Sequence, residues 1–370
     1  MELDIFFSIC QTEVHGYLPS ERVMFENFFE QIELADTLGF GTAWVAESHL
    51  STEVQKMNPG AVIPHFVGEI GLNTDILQLA HRVFARTKRI SIGSAIMNIL
   101  CNGGPIAAAE RVKTFLALHG LDESERRLLT VGFASGRFPF INVPYGVVPR
   151  NAVETAAWPV VKNKIFEEAT EIFLRLLKGE TLNSDMIAPR FIDGTPVAPR
   201  WVFPNLKIVP QEPRMELLRL MVGSHDPHLQ AFANTVLPVG VFNLSITPGA
   251  EIENTNQRME TEYQGTWHRR LMPRTVLVFI ADDAAQAADE ARDALSNYWA
   301  ALEGTLDEEK VRKATSNALV GDAAAVAAQM RERFHPEDRL MLWFDFNNHD
   351  SKRVMINMSE FMSKVAPQFA

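Results

Sequence analysis

The chain has 370 residues, of which 46% are hydrophobic and 22% charged, a composition typical of a packed globular protein. Its net charge of −11, with scattered lysines and arginines, excludes the continuous basic surface of a nucleic-acid-binding protein. Cys10 and Cys101 stand apart with no metal-ligand spacing, so neither a disulfide framework nor a metal site is predicted. No apolar run reaches the roughly 18 residues of a membrane span and no signal-peptide pattern opens the chain, so we expect a cytoplasmic protein.

Strand patterns recur along the whole chain. Short apolar runs bounded by turn residues predict eight strands: Leu3 to Ile9, Thr42 to Ala46, Arg89 to Leu100, Leu128 to Ser135, Arg219 to Ser224, Leu237 to Asn243, Arg274 to Ala281 and Arg339 to Phe346.

Helical periodicity follows the strands. The predicted helices lie between Pro19 and Gly39, from Thr74 to Thr87, from Pro105 onward, from Ala152 to Leu177, after Asp226, from Asp283 to Leu302, around Met330 and from Lys352 to Val365. Alternating strands and helices predict an α/β fold with parallel strands, a (β/α)₈ TIM barrel with loop insertions. A doubly wound open sheet is the alternative, although no GxGxxG follows the first strand.

No linker-like segment divides the chain. We therefore predict a single barrel domain over residues 1–370, with an irregular insertion around 180–214 that is rich in proline.

Polar residues follow the second strand at the end where barrel active sites lie. Glu47, Ser48 and His49 are side chains that can bind a ligand or move protons, and His49 is the predicted proton-transfer residue because imidazole titrates near neutral pH. We expect His49 to line a pocket surface, so that its loss leaves folding nearly intact. The alternative is that these side chains only tie down the loop.

The third and fourth strands bring further candidates to the same end. Small residues around Ala95 would let a flat ligand approach the backbone, and Asn98 would hydrogen-bond it. Ser135 offers a hydroxyl and an unhindered backbone N–H. A strand core followed by a glycine turn explains the same residues equally well.

The fifth strand ends in "VGSHDPH". Ser224, His225 and the start of the following helix predict an anion site suited to a phosphate, because a helix start presents unpaired N–H groups. The alternative is that Asp226 simply caps that helix.

The segments "AWVAESH", "ARTKRISIGSAI", "TVGFASGR", "LMVGSHDPHLQAFA", "VGDAAAVAAQMRERF" and "DRLMLWFDF", in this order, resemble the bacterial luciferase-like flavin monooxygenases over nearly the whole chain. The resemblance implies a (β/α)₈ barrel that binds reduced FMN, or in a sister branch the deazaflavin F420, at the carboxyl ends of the strands. It implies that the backbone at Ala95 and Ile96 passes under the flavin ring, often through a non-proline cis peptide. It further implies that Ser135, Ser224 and His225 hold the phosphate.

Two positions depart from the family pattern. Ser48 stands where the family commonly has the first of two histidines, a catalytic base in luciferases, which puts light emission in doubt. Ala134 stands where luciferase carries a reactive cysteine.

The leading hypothesis is a two-component monooxygenase that uses O₂ and FMN reduced by a separate flavin reductase to oxygenate a small organic substrate. In it His49 and Ser48 are the catalytic residues, and Glu47, Ala95, Ile96, Asn98, Ser135, Ser224 and His225 bind the cofactor. The alternatives are an F420-dependent oxidoreductase and a flavin-binding barrel without activity. We expect a homodimer, with no nucleic acid and no membrane as partner.

Overall fold

The computed structural model describes residues 1–304, 308–313 and 315–369. In these ranges nine strands pair with parallel neighbours. They are β1 (Glu2–Phe7), β2 (Thr42–Val45), β3 (Ser91–Asn98), β4 (Leu129–Ala134), β5 (Leu218–Val222), β6 (Gly240–Val241), β7 (Arg274–Ile280), β8 (Leu319–Gly321) and β9 (Arg339–Trp343).

Helices follow most of these strands along the chain. The longer ones are α1 (Glu21–Leu38), α2 (Ile76–Arg86), α3 (Gly104–His119), α4 (Trp158–Lys178), α5 (Pro227–Val236), α6 (Gly249–Glu262), α7 (Ala284–Ala301), α8 (Ala323–Arg333) and α9 (Ser351–Glu360). Within the described residues, no helix is both long and apolar enough to cross a membrane.

One compact unit comprises residues 1–95, 242–258 and 268–370. Its strands lie in the order β3, β2, β1, β9, β7, β8. Helix α1 covers β1, where the Phe7 and Phe28 rings lie 5.2 Å apart between centroids. The helix begins because Ser20 Oγ accepts from the Val23 N–H, and it ends at Gly39, whose φ of 89° suits glycine.

The second compact unit comprises residues 96–241 and 259–267. Its strands lie in the order β6, β5, β4, and helix α4 packs against α3 and α5. The Phe133 and Phe173 rings, 5.3 Å apart, join β4 to α4 in its core. Both are fully buried, so this contact removes a large apolar area from water.

The predicted α/β fold class is confirmed, with three differences in detail. Strand β8 and helix α6 were not predicted, since β8 has only three residues and α6 is largely polar. The single helix predicted from Ala152 to Leu177 is wrong: one helix spans Ala152–Ala156 and α4 begins at Trp158. Pro159 explains the break, because it lacks the N–H that a continuous helix needs.

The proline-rich segment 180–214 contains a short 3₁₀ turn, Ser184–Met186, and a small hairpin of Arg190–Ile192 with Thr195–Val197. The long loop between β2 and α2 contains one helical turn, Thr52–Gln55, and a two-residue strand, Gly68–Glu69.

Asp4 is the centre of a buried polar cluster at β1. Its carboxylate accepts from Thr42 N at 2.9 Å and from Trp44 Nε1 at 2.6 Å, and it pairs with the Arg339 guanidinium. We expect Asp4→Ala to lower the free energy of unfolding by about 2–3 kcal/mol, because it leaves these donors without their acceptor.

Urea denaturation checks this expectation. Asp289→Ala, on the exposed face of α7, is the matched control and should change stability by less than about 0.5 kcal/mol. If both variants lost equally little, the Asp4 cluster would not stabilise the fold as argued.

Candidate functional site

Glu47 and His49 form a buried pair after β2. His49 Nε2 lies 3.2 Å from Glu47 Oε1, and Glu47 Oε2 accepts from Ile76 N at 3.1 Å. The carboxylate is therefore fixed by the start of α2 and orients the imidazole. The side chains of His49 and Glu47 are only 7% and 3% exposed, respectively. The expectation that loss of His49 leaves folding nearly intact is therefore wrong, and we expect its loss to lower the free energy of unfolding by about 1–3 kcal/mol.

Ser48 lies between these two residues and is also buried. Its backbone N–H donates to Asn73 O at 2.9 Å, and Asn73 Nδ2 donates to Ala46 O at 3.0 Å, so part of the segment does tie down the loop. Ser48 Oγ, however, has no hydrogen-bond partner among the described residues. An orphaned buried hydroxyl is costly, and a bound ligand would satisfy it.

Asp345 and Cys10 lie after β9 and β1 and were not predicted as site residues. Burial raises the pKa of the Asp345 carboxyl to about 7. Burial, reinforced by the nearby Asp345 charge, raises the pKa of the Cys10 thiol to about 12. The sequence signal for Asp345 was an acidic residue near the end of a predicted apolar strand, but its burial is not visible in the sequence.

The raised pKa of Cys10 leads to a measurable expectation. At pH 8 Cys10 in the folded protein should react with a disulfide reagent roughly 10³-fold more slowly than in the unfolded chain. The reason is that the raised pKa, about 12 instead of 9.0, lowers the fraction of Cys10 present as thiolate by about that factor. The measurement uses a Cys101→Ser background, so that only Cys10 is read. Rapid modification of the folded protein would show that the thiol is neither shielded nor suppressed.

Asn98, Asn142 and Ser135 form a connected cluster in the second unit. Asn98 Nδ2 donates to Asn142 Oδ1 at 2.7 Å, and Asn142 Nδ2 donates to Ser135 O at 2.9 Å. The next residue, Gly136, has a φ of 77°, and a side chain there would come within 2.3 Å of Asn98 Nδ2. Asn98 thus holds the turn after β4, while its predicted contact with a cofactor stays a prediction.

Lys162 on α4 was missed by the sequence analysis. Its Nζ donates to Gly136 O at 2.9 Å, and burial lowers the pKa of its amine. Nothing in the helix pattern distinguishes this lysine from a solvated one. Beside the half-buried Ser135, it adds a cation suited to a phosphate or carboxylate.

Asp226 caps helix α5, as the sequence allowed. Asp226 is the N-cap and accepts from His228 N at 2.9 Å, while Ser224 Oγ accepts from Asp226 N at 3.3 Å. The cap carboxylate thus uses a donor of the first turn that an anion would need. Ser224 and His225 keep some accessible surface, and their role toward a phosphate stays a prediction.

Ala95 and Ile96 are half-buried. Within the described chain the only cis peptide bond is Val209–Pro210, so the non-proline cis peptide implied at Ala95 and Ile96 is wrong. The trans form is the default, because a non-proline cis bond costs about 2.5–4 kcal/mol.

Comparisons with known proteins agree with the resemblance. Residues 1–340 match the sequence model of the luciferase-like monooxygenase family. No curated protein matches the chain.

Solved structures of similar fold cover the chain almost completely. Monooxygenase RslO1 from Streptomyces bottropensis has a TM-score of 0.70 at 18% identity, with 100% of both chains covered. The oxygenating constituent of 3,6-diketocamphane monooxygenase from Pseudomonas putida, in complex with FMN, has a TM-score of 0.61 at 13% identity, covering 100% of this chain and 98% of that one. An F420-dependent secondary alcohol dehydrogenase has a TM-score of 0.58 at 13% identity, with 99% of both chains covered.

At these identities the structural likeness shows the fold, an α/β fold built on a large parallel sheet, as predicted from the sequence. The family follows from the sequence match, which spans most of the chain. The chain belongs to the luciferase-like monooxygenase family.

Proposed function

We propose that the chain is a two-component flavin-dependent monooxygenase, which takes FMN reduced by a separate flavin reductase and uses O₂ to oxygenate a small organic substrate. The observation that carries the proposal is the buried Glu47–His49 pair, placed after β2 in a chain of this family. An imidazole oriented by a carboxylate is suited to hold and pass a proton near neutral pH.

The residues present fit a flavin phosphate ester. Ser135, which precedes Gly136 in the chain, supplies a hydroxyl, and Lys162, whose Nζ donates to Gly136 O, supplies a cation. Ser224 and His225 are further candidates. The orphaned Ser48 Oγ in the first unit fits a polar group of a ligand. We assign Glu47, Ala95, Ile96 and Asn98 to the cofactor as the family resemblance implies.

Reduced FMN supplies, when bound, the electrons that activate O₂. The protein's own contribution is proton control and exclusion of water. Glu47 Oε1 holds the His49 ring through Nε2, and the other ring nitrogen, Nδ1, would exchange a proton with the reacting oxygen. Ser48 Oγ has no hydrogen-bond partner in the described chain, so it would donate a hydrogen bond to a polar group of the bound ligand. The burial of Ser48, His49 and the Glu47 side chain keeps bulk water from competing.

An F420-dependent oxidoreductase is the second candidate. The observation that favours it is the likeness to the F420-dependent alcohol dehydrogenase, and Lys162 would serve a phosphate on either cofactor. A barrel that binds flavin without turnover is the third candidate, because Ser48 replaces a histidine common in the family.

Anaerobic equilibrium titration separates the cofactors. The proposal expects reduced FMN to bind with a dissociation constant of micromolar order and at least about 10-fold tighter than F420. Lys162→Met should weaken the binding of reduced FMN or of F420 by roughly 10-fold, because a charged hydrogen-bond donor is lost. Tighter binding of F420 would favour the second candidate.

We also propose a homodimer. Sedimentation at micromolar concentrations should give about twice the 41.5 kDa chain mass. A single 41.5 kDa species over that range would reject the dimer.

A further inference from the structure

The second unit contains a cavity of about 260 Å³ beside the start of α3. Its lining residues come from three segments of the chain: the turn between β3 and α3, the loop after β4, and the segment 180–214. Leu100 and Val147 are buried, whereas Tyr145 and Arg150 are exposed. The cavity therefore reaches from solvent into the protein, and a small ligand can enter it.

Buried hydrogen bonds fix the part of the wall that segment 180–214 contributes. Arg200 Nη2 donates to Glu154 Oε2 at 2.6 Å, and Arg200 Nη1 donates to Val148 O at 3.1 Å. Both carboxylate oxygens of Glu168 accept from Arg200 N at 3.0 Å, and Oε1 also accepts from Trp201 N at 3.2 Å. A wall held in this way keeps its shape without a ligand, which lowers the entropy cost of binding one.

Trp201 gives the cavity an apolar surface. Its indole lies against the start of α3, because a Cβ at Gly104 would come within 2.6 Å of Trp201 Nε1. Leu100 and Val147 extend this surface. At roughly 30 Å³ for each water-sized group, the volume of about 260 Å³ holds about nine non-hydrogen atoms, the size of one substituted six-membered ring.

The cavity carries one positive charge that is not neutralised. Its described lining includes Arg150 and Arg200 and no acidic residue. Burial alone would raise the pKa of the Glu154 carboxyl, but hydrogen bonds from Arg150 N and from Arg200 lower it, so Glu154 is ionised near neutral pH and neutralises Arg200. Arg150 Nη1 donates instead to a neutral acceptor, Pro199 O, at 2.9 Å, and the Arg150 guanidinium forms no ion pair with a described residue.

An arginine without a carboxylate partner, next to an apolar surface, matches a small organic anion. A carboxylate suits it best, because the planar guanidinium can donate to both carboxylate oxygens. We propose that this cavity binds a one-ring organic carboxylate, whose charge pairs with Arg150 and whose ring packs against Trp201, Leu100 and Val147. None of these residues is among those assigned above to the flavin or to proton transfer, so the inference goes beyond the proposed function.

Calorimetric titration of the full chain without flavin tests the proposal, with benzoate as the probe and benzamide as its neutral analogue of equal size. The wild-type protein should bind benzoate with a dissociation constant of submillimolar order and at least about 10-fold tighter than benzamide, because only benzoate carries the charge that pairs with Arg150. Raising NaCl from about 50 to about 500 mM should weaken the binding of benzoate several-fold and leave that of benzamide unchanged.

The variants separate the charge from the apolar surface. Arg150→Met should abolish the preference for benzoate, whereas Arg150→Lys, which keeps the charge, should retain most of it. Trp201→Ala should weaken benzoate and benzamide alike, by about 5-fold or more, because it removes apolar contact area. Arg126→Met is the matched control, since Arg126 is also exposed and its Nη1 donates to the backbone carbonyls of Glu123 and Glu125, and it should change neither affinity.

Equal wild-type affinity for benzoate and benzamide would overturn the proposal, as would no binding of benzoate. A preference for benzoate that survives in folded Arg150→Met would also overturn it. If Arg150→Met does not fold, Trp201→Ala and the salt dependence decide, and benzoate binding that is insensitive to both would contradict the proposal.

Discussion

His49→Ala is expected to slow formation of oxygenated product by roughly 10²–10⁴-fold, the usual contribution of a general acid or base. The physical reason is the Glu47–His49 pair: the carboxylate fixed by Ile76 N orients the imidazole. Alanine removes this imidazole, the type of side chain suited to general acid–base catalysis. The measurement is product formation with saturating reduced FMN, expressed per folded molecule.

Ser48→Ala is the neighbouring control. It removes a hydroxyl that can donate a hydrogen bond but has no useful pKa near neutrality, so its rate loss should be well below that of His49→Ala. Added imidazole should partly rescue His49→Ala and should not affect Ser48→Ala. If His49→Ala has a lower thermal midpoint but forms product at the wild-type rate per folded molecule, the role of His49 is structural and not catalytic.

Asp345→Asn is expected to stabilise the protein at pH 8 by up to about 4 kcal/mol, and at pH 5 by less than about half of that amount. Burial raises the pKa of the Asp345 carboxyl in the folded protein to about 7 from its ordinary value of 3.8. Between these values the folded state binds more protons than the unfolded state, so wild-type stability falls as pH rises from about 4 to 7. Asparagine carries no charge to bury and escapes this loss.

Urea denaturation of both proteins at pH 5 and pH 8 measures the effect. Asp193→Asn is a matched control on an exposed turn with a φ of 48°, which asparagine tolerates, and it should not alter the pH dependence. An Asp345→Asn variant that tracks the wild type at both pH values would show that the Asp345 carboxyl is ionised without penalty.

The sequence predicted the elements that periodicity determines. Helix α1 was found between Pro19 and Gly39 because its apolar spacing and its glycine stop are both local. Helix α6 was missed because its polar sequence, Gly249–Glu262, has no clear apolar stripe. Pro159 is a signal for a helix break in this segment, but the apolar pattern on either side of it is that of one continuous helix.

The candidate site was predicted where it follows from strand ends. Glu47 and His49 come directly after β2, so their proximity is set by local chain geometry. Asp345 and Lys162 were missed because their chemistry depends on burial, which tertiary packing decides. At Asp226 the sequence left capping and anion binding open; the hydrogen bond to His228 N shows the cap, and the anion site at Ser224 and His225 stays a prediction.

Oxygen labelling tests the central claim, that this chain is a flavin-dependent monooxygenase, most directly. The protein is mixed with chemically reduced FMN and a panel of small aromatic and cyclic compounds under ¹⁸O₂, with His49→Ala run in parallel. We predict one ¹⁸O atom in the product of the wild-type protein. For His49→Ala we predict that the amount of labelled product is lower by at least roughly 10²-fold. Products that contain no ¹⁸O, or that form equally well without oxygen, would contradict the account.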